Sequence, residues 1–318
     1  MRRLAARAHL WGGLVTGPFL LVLGVSGSAL VFAPEIERLE RPAAPATPAA
    51  AAPSLDTVLA AALIGQPGAE PRALRLPTRP AAPLVVELAL GGRRLDVAVD
   101  ALTLRVVDTR APDRSLLVAV RSLHAAFHAG RAGALIVGLL GLWLVVETAT
   151  GLWLYGPSIV RRVHGRSRAV HRIVGGCALV VGGLVGVTGA LLATAAVISA
   201  ASPPAPPGRL ARLDFVTARV PSGGRIVALV AEPGHRVRVE TRRPDGRVRS
   251  VLVDTDSGDL VKVPAPRDRW DVVRRLHGGD LVGWPSRLLY AAVGLALPVL
   301  SITGFLLSTR RRHAPQSS

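Results

Sequence analysis

Lysine, cysteine and acid are scarce in this chain, and each scarcity removes a class of protein. One lysine stands against 38 arginines, so the formal charge of +18 partly reflects a compositional bias. No DNA-binding motif accompanies that charge, and a nucleic-acid partner is not expected. Cys177 is the single cysteine. No disulfide forms within the chain, and covalent haem attachment through Cys-x-x-Cys-His is excluded. No Gly-x-Gly-x-x-Gly fingerprint occurs, so a flavin or nicotinamide domain is not expected. Acidic residues are missing from residues 1–9, 156–172 and 309–318, which together carry 11 arginines.

What the chain has in excess is hydrophobic sequence, at 50% of its 318 residues. Four apolar runs approach or exceed the roughly 20 residues a helix needs to cross a bilayer. They lie at 10–33, 132–155, 173–199 and 285–308. The positive-inside rule assigns the three arginine-bearing, acid-free stretches to the cytoplasm. The expected order is a cytoplasmic N-terminus (1–9), helix 10–33, an outer segment 34–123, helix 124–155 with an outer extension, a basic inner loop 156–172, helix 173–199, an outer segment 200–276, helix 277–308 with an outer extension, and a cytoplasmic tail 309–318. The first run is too long for the apolar region of a typical cleaved signal, and is read as a retained helix.

Both outer segments read as small α+β domains. The first opens with a Pro/Ala linker, 41–53, expected to be extended. A short helix follows to about Ile64, with Ser54 or Asp56 as its cap. Strands are expected at Ala73–Leu76, Leu84–Leu90, Arg93–Val99 and Leu102–Val107, with a Gly91-Gly92 hairpin turn. The second segment repeats the plan with a shortened helix near Arg212–Arg219. Its strands are expected at Arg225–Val230, His235–Thr241, Val248–Val253 and Leu260–Val263, with turns at Pro244-Asp245-Gly246 and Asp256-Ser257-Gly258. Residues 123–154 align with 276–307 without insertion, pairing Gly130 with Gly283, Gly141 with Gly294 and Thr150-Gly151 with Thr303-Gly304. Two spans per half make these parallel repeats, related by an axis along the membrane normal.

Four histidines follow the same repeat. His9 is followed 17 and 18 residues later by Ser26-Gly27, and His171 at the same offsets by Thr188-Gly189. His124 reaches Thr150-Gly151 after 26 and 27 residues, and His277 reaches Thr303-Gly304 likewise. One helix-initial histidine is ordinarily an interfacial side chain. Two pairs in matching register mark a pathway or cofactor, because ionisable groups near lipid are costly. Eighteen residues are five helical turns, so His9 shares a face with Gly27, and His171 with Gly189. Gly13 and Gly175 lie close to those stripes, leaving room for a flat, bulky group between helices. His9 and His171 fall at one membrane level, His124 and His277 at the other. Each level offers two imidazoles, the axial requirement of haem iron. Zinc would need further ligands, and neither level supplies a matched cysteine or carboxylate. His128, one turn from His124 on the same face, is a candidate to replace it as ligand or to hydrogen-bond a propionate. Glu147, inside the second run, either tunes a cofactor, carries a proton or is buried neutral or paired. His164, His235 and His313 read as solvated.

These motifs give the chain its resemblance to a family. His-Leu-Trp-Gly-Gly at 9–13, His-Arg-Ile-Val-Gly at 171–175, Leu-His at 123–124 and 276–277, and the four Ser/Thr-Gly endings resemble the PepSY-associated transmembrane family. Val-Asp-Thr-Asp-Ser-Gly at 253–258, and more weakly Val-Asp-Ala-Leu-Thr at 99–103, resemble PepSY modules. The resemblance implies a bacterial inner-membrane protein of the iron-regulated or ferric-siderophore reductase type. It further implies two haem b groups held by His9, His171, His124 and His277, with electrons passed outward to a ferric chelate. The donor would be a quinol or a separate cytoplasmic reductase. The alternative function is a membrane-anchored PepSY protein that binds or regulates an extracytoplasmic peptidase, with the histidines structural.

Overall fold

The computed structural model describes residues 1–40, 54–77, 82–112, 115–155, 165–201, 208–244, 248–261 and 269–312. The expected linker 41–53, most of the turn at 244–246, His164 and His313 lie outside the described residues. The chain forms two compact units, one helical and one built around a sheet.

The helical unit holds four helices long and apolar enough to cross a membrane: α1 (Arg2–Val31), α5 (Gly130–Tyr155), α6 (Arg166–Ala201) and α9 (Trp284–Arg312). An apolar run in lipid has no water for its peptide groups, and a helix satisfies them internally. At about 1.5 Å per residue, even the shortest exceeds the roughly 30 Å hydrocarbon core. Each helix also continues past its apolar run. α1 begins at Arg2, and α9 extends to Arg312.

Packing orders these helices as a ring, α1 against α5 and α9, and α6 against the same two. Glycines set the closest approaches. A Cβ on Gly141 of α5 would lie 2.8 Å from the Gly186 carbonyl of α6, and a Cβ on Gly186 equally close to the Gly141 carbonyl. Gly294 of α9 meets Gly24 of α1 in the same way, at 2.9 Å. Small residues permit such backbone contact between membrane helices. Cross-helix hydroxyls reinforce it. Ser28 donates to the Ala291 carbonyl at 2.9 Å and Ser301 to the Gly17 carbonyl at 3.0 Å. Past the end of α1, the Arg287 guanidinium donates to the Val31 carbonyl and pairs at 2.6 Å with Glu35 of the short helix α2 (Ala33–Glu40).

The extended helix expected over 124–155 is broken. A short helix α4 (Leu116–Ala126) stops before α5, with Phe127 (φ 46°) and His128 (φ 59°) in the left-handed region between them. The second half has a matching break, where α8 (Arg269–Gly278) precedes α9 and Gly279 and Gly283 have φ of 74° and 75°.

The second unit is organised around one eight-stranded antiparallel sheet. Its strands are β1 (Glu70–Arg75), β2 (Leu84–Leu90), β3 (Arg93–Val99), β4 (Val106–Arg110), β5 (Arg225–Glu232), β6 (Arg236–Arg242), β7 (Val248–Asp254) and β8 (Leu260–Val261). The order is β4-β3-β2-β1-β5-β6-β7-β8. The two segments that the sequence divides into separate domains therefore share a sheet, joined where Leu74 pairs with Leu229. Both leucines are fully buried, among Leu88, Val97, Val237 and Val239. Helices α3 (Leu55–Leu63) and α7 (Leu213–Arg219) contribute Val58, Leu213 and Val216 to the same core.

Ser54 caps α3 through the Thr57 amide at 3.2 Å. Asp56 instead accepts from the Leu213 and Asp214 amides of α7, at 2.7 and 3.2 Å. Asp214 returns the contact, accepting from the Leu55 amide at 2.8 Å and the Ser54 hydroxyl at 2.5 Å. The fourth strand lies later than the expected Leu102–Val107. Asp100 folds the preceding residues into a turn by accepting from the Leu102 and Thr103 amides at 2.9 and 2.8 Å. Asp254 does the same for Asp256 and Ser257 at 2.9 and 3.0 Å. The two Val-Asp motifs are thus one device, an aspartate that closes a hairpin on its own backbone.

Candidate functional site

Four polar side chains that end apolar helical stretches each meet a histidine from another helix. His9 Nδ1 of α1 lies 3.1 Å from Thr150 Oγ1 of α5. His124 Nδ1 of α4 lies 3.0 Å from Ser26 Oγ of α1. In the second half His171 Nδ1 of α6 meets Thr303 Oγ1 of α9 at 2.9 Å, and His277 Nδ1 of α8 meets Thr188 Oγ1 of α6 at 3.1 Å. The following glycines make room for the same rings. A Cβ on Gly27 would stand 2.8 Å from His124 Cε1, and one on Gly189 would stand 3.0 Å from His277 Cε1. At Gly151 and Gly304 the distances to His9 and His171 Cε1 are 3.3 and 3.6 Å.

The hydroxyls favour one tautomer. Each donates its only proton to a carbonyl one turn back at 2.7 Å: Ser26 to Val22, Thr150 to Val146, Thr188 to Leu184 and Thr303 to Val299. A carbonyl can only accept, so each hydroxyl presents a lone pair to the imidazole. This arrangement suits the tautomer with its hydrogen on Nδ1, which leaves a lone pair on Nε2 for a ligand bond.

The rings meet in two pairs. His9 and His171 have centroids 6.4 Å apart with planes at 84°, and His124 and His277 have centroids 6.1 Å apart with planes at 50°. Each pair takes one histidine from each half of the chain. Among the described residues, no group of three or more His, Cys, Asp or Glu side chains is arranged to hold a metal ion. The pairs therefore offer two nitrogen ligands each.

One histidine differs from the other three. His9 Nδ1 also lies 2.7 Å from Glu147 Oε2, and the other oxygen of Glu147 accepts from Trp143 Nε1 at 2.9 Å. Trp143 lies so close to α1 that a Cβ on Gly12 would enter its indole, and a Cβ on Gly13 would stand 3.8 Å from Glu147 Oε2. The residue aligned with Glu147 in the second half is Leu300, whose Cδ2 lies 3.6 Å from a Cβ built on Gly175.

Sequence reasoning paired each histidine with the glycine on its own helix. The structure pairs the glycines with histidines of neighbouring helices, so Gly27 serves His124 and Gly189 serves His277. His128 does not continue the face of His124, because the left-handed turn at Phe127 and His128 separates them. His235 is an exposed turn residue beside Asp256 at 3.4 Å. The sequence gives Trp143 no role, and counts Arg172 only among the basic residues of the inner loop. Arg172, next to His171, has Nε and Nη2 buried with no hydrogen-bond partner among the described residues.

The helical unit and its histidine ring place the chain among multi-helix membrane proteins. A family model, the PepSY-associated TM region, matches residues 6–311, and the chain belongs to that family. No curated protein matches it.

Proposed function

We propose that this chain is a di-haem b electron-transfer protein of a bacterial inner membrane, passing electrons outward to a ferric chelate or siderophore. The observation that carries the reading is the fourfold Nδ1–hydroxyl contact, which leaves four Nε2 lone pairs grouped as two ring pairs. Two metal–nitrogen bonds of about 2 Å, plus roughly 1 Å from each nitrogen to its ring centre, come to about 6 Å. The ring separations of 6.4 and 6.1 Å suit a six-coordinate iron whose remaining ligands come from a macrocycle. Zinc with two protein ligands would be short of its usual four. Two further features favour a flat acidic cofactor. The buried nitrogens of Arg172, without a hydrogen-bond partner among the described residues, suit a propionate. Gly182 is buried, yet nothing lies within 4 Å of where its Cβ would stand.

On this reading His9 and His171 hold one group, and His124 and His277 hold the other. Haem supplies reversible one-electron chemistry when bound. The protein fixes each imidazole by its Nδ1–H, presents Nε2 and surrounds the pair with helix. Both termini lie in the cytoplasm, and the donor is a quinol or a separate cytoplasmic reductase.

The test is a pyridine haemochrome assay with a reduced-minus-oxidised spectrum, on full-length protein expressed with ample haem. Two b-type haems per chain are expected. No haem sinks the redox reading, and a value near one leaves a single working pair.

A further inference from the structure

We infer that Glu147 makes the two histidine pairs electrically unequal, setting the redox potential of the His9–His171 site below that of the His124–His277 site. The inference rests on the haem reading above.

The asymmetry is visible in the partners. His124, His171 and His277 each place Nδ1 against a neutral hydroxyl, of Ser26, Thr303 and Thr188. Among the described residues His9 alone adds a carboxylate, at 2.7 Å. Both oxygens of that carboxylate receive N–H groups, Oε2 from His9 and Oε1 from Trp143. A carboxylate is acceptor-only, which matches an N–H contact on each of its oxygens. The Glu147 side chain is 12% exposed, so water screens its charge little.

A carboxylate accepting from Nδ1–H draws that proton away from the ring. Electron density on Nε2 rises, and the imidazole becomes a more basic ligand. A basic ligand and a nearby negative charge both favour the oxidised, more positive metal. The midpoint potential of that site falls as a result. This is the effect of a fixed charge and requires no proton to move.

Four positions build the device. Glu147 supplies the charge, Trp143 holds it, and Gly12 and Gly13 admit the indole and the carboxylate against α1. The aligned residues of the other half are Leu300, Ala296, Val174 and Gly175, with no polar side chain among them. Under the proposed topology the lower potential lies on the cytoplasmic side, where electrons enter.

A spectroscopic redox titration of the full-length protein tests this. Two one-electron transitions are expected in the wild type, and the one lost in His171→Ala should be the lower. If His171→Ala removes the higher transition, the inference is overturned without any change at Glu147. Glu147→Gln should raise the lower midpoint by about 59 mV, a tenfold change for one electron, and leave the higher one in place. Glu147→Asp, which keeps the charge, should stay near the wild type. An unmoved lower midpoint in the Gln variant, or an equal rise in both variants, overturns the role of the charge. A wild type with no haem defeats the functional proposal itself, a different failure.

Discussion

The Ser26 hydroxyl of α1 lies 3.0 Å from Nδ1 of His124, although 98 residues separate the two. Beside it, Gly27 leaves space that a Cβ would fill to within 2.8 Å of the same ring. The hydroxyl orients the imidazole, and the glycine lets it approach. These roles should separate in variants. Ser26→Ala removes the orienting acceptor while leaving the ring its place, and haem affinity at the His124–His277 site should fall by about 10–100-fold, the usual effect of an outer-shell change. Gly27→Leu displaces the ring and should abolish that haem. The His9–His171 haem should persist in both. Haem quantitation during stepwise dilution checks the order, and loss of both haems in Ser26→Ala would contradict it.

Topology can be read independently of any cofactor. Reporter fusions at Gly165 and Gly246 should report the cytoplasm and the outside respectively, because the acid-free arginine stretches favour the inner face. The reverse pattern would turn the proposed electron path around.

Much of this arrangement was legible in the sequence as repetition. The matched offsets of His9 and His171 to their Ser/Thr-Gly pairs drew attention to every group in the site. Helical periodicity, however, relates residues on one helix only. It linked His9 to Gly27, when Gly27 faces His124 across a helix interface. Glu147 stands out as a charge in an apolar run, while nothing in the sequence ties it to Trp143, its partner one turn back. The break between α4 and α5 left little trace, because Phe127 and His128 adopt left-handed backbone without being glycine. The turn at Asp256-Ser257-Gly258 was expected and is present, whereas Leu102 and Thr103, expected in a strand, lie in the turn that Asp100 closes. The joining of β1 to β5 did not show, since an edge strand and a central one carry the same alternation.

Reciprocal capping between α3 and α7 gives the sheet unit a pH-sensitive joint. Burial pushes the Asp214 carboxyl up, but the Ser54 hydroxyl and the amides of Leu55 and Asp56 outweigh it and hold the group below its ordinary value. A depressed carboxylate stabilises the fold at pH above its unfolded value of about 3.9. That contribution is lost as the pH falls through the lower, folded value. Asp214→Asn should lose part of the stabilisation at neutral pH and show a weaker acid transition. Asp56→Ala should cost about 0.5–2 kcal/mol, as for other lost caps. Hydrogen exchange of the β1 and β5 amides in the full-length protein measures both, and equal acid sensitivity in Asp214→Asn and wild type would count against the argument.

Ligand variants decide the pairing of the histidines. His9→Ala and His171→Ala should each remove one haem and leave the other, since the two rings form one pair with centroids 6.4 Å apart. An iron deprived of one axial imidazole holds a non-covalent cofactor less firmly. His124→Ala and His277→Ala should remove the second haem for the same reason, through the pair at 6.1 Å. On the proposed path the two sites lie in series, so delivery of electrons to an outside ferric chelate should fail in all four variants. His128→Ala is the control. Its φ of 59° and the amide it donates to the Ser122 carbonyl at 3.2 Å belong to the turn that ends α4, and its side chain is not needed for either pair. That variant should keep both haems and full reduction of the chelate. If it loses a haem while His124→Ala keeps both, the ligand lies in the turn rather than on the helix. If all five variants retain two haems, the histidines serve the packing of the bundle and the iron is held elsewhere.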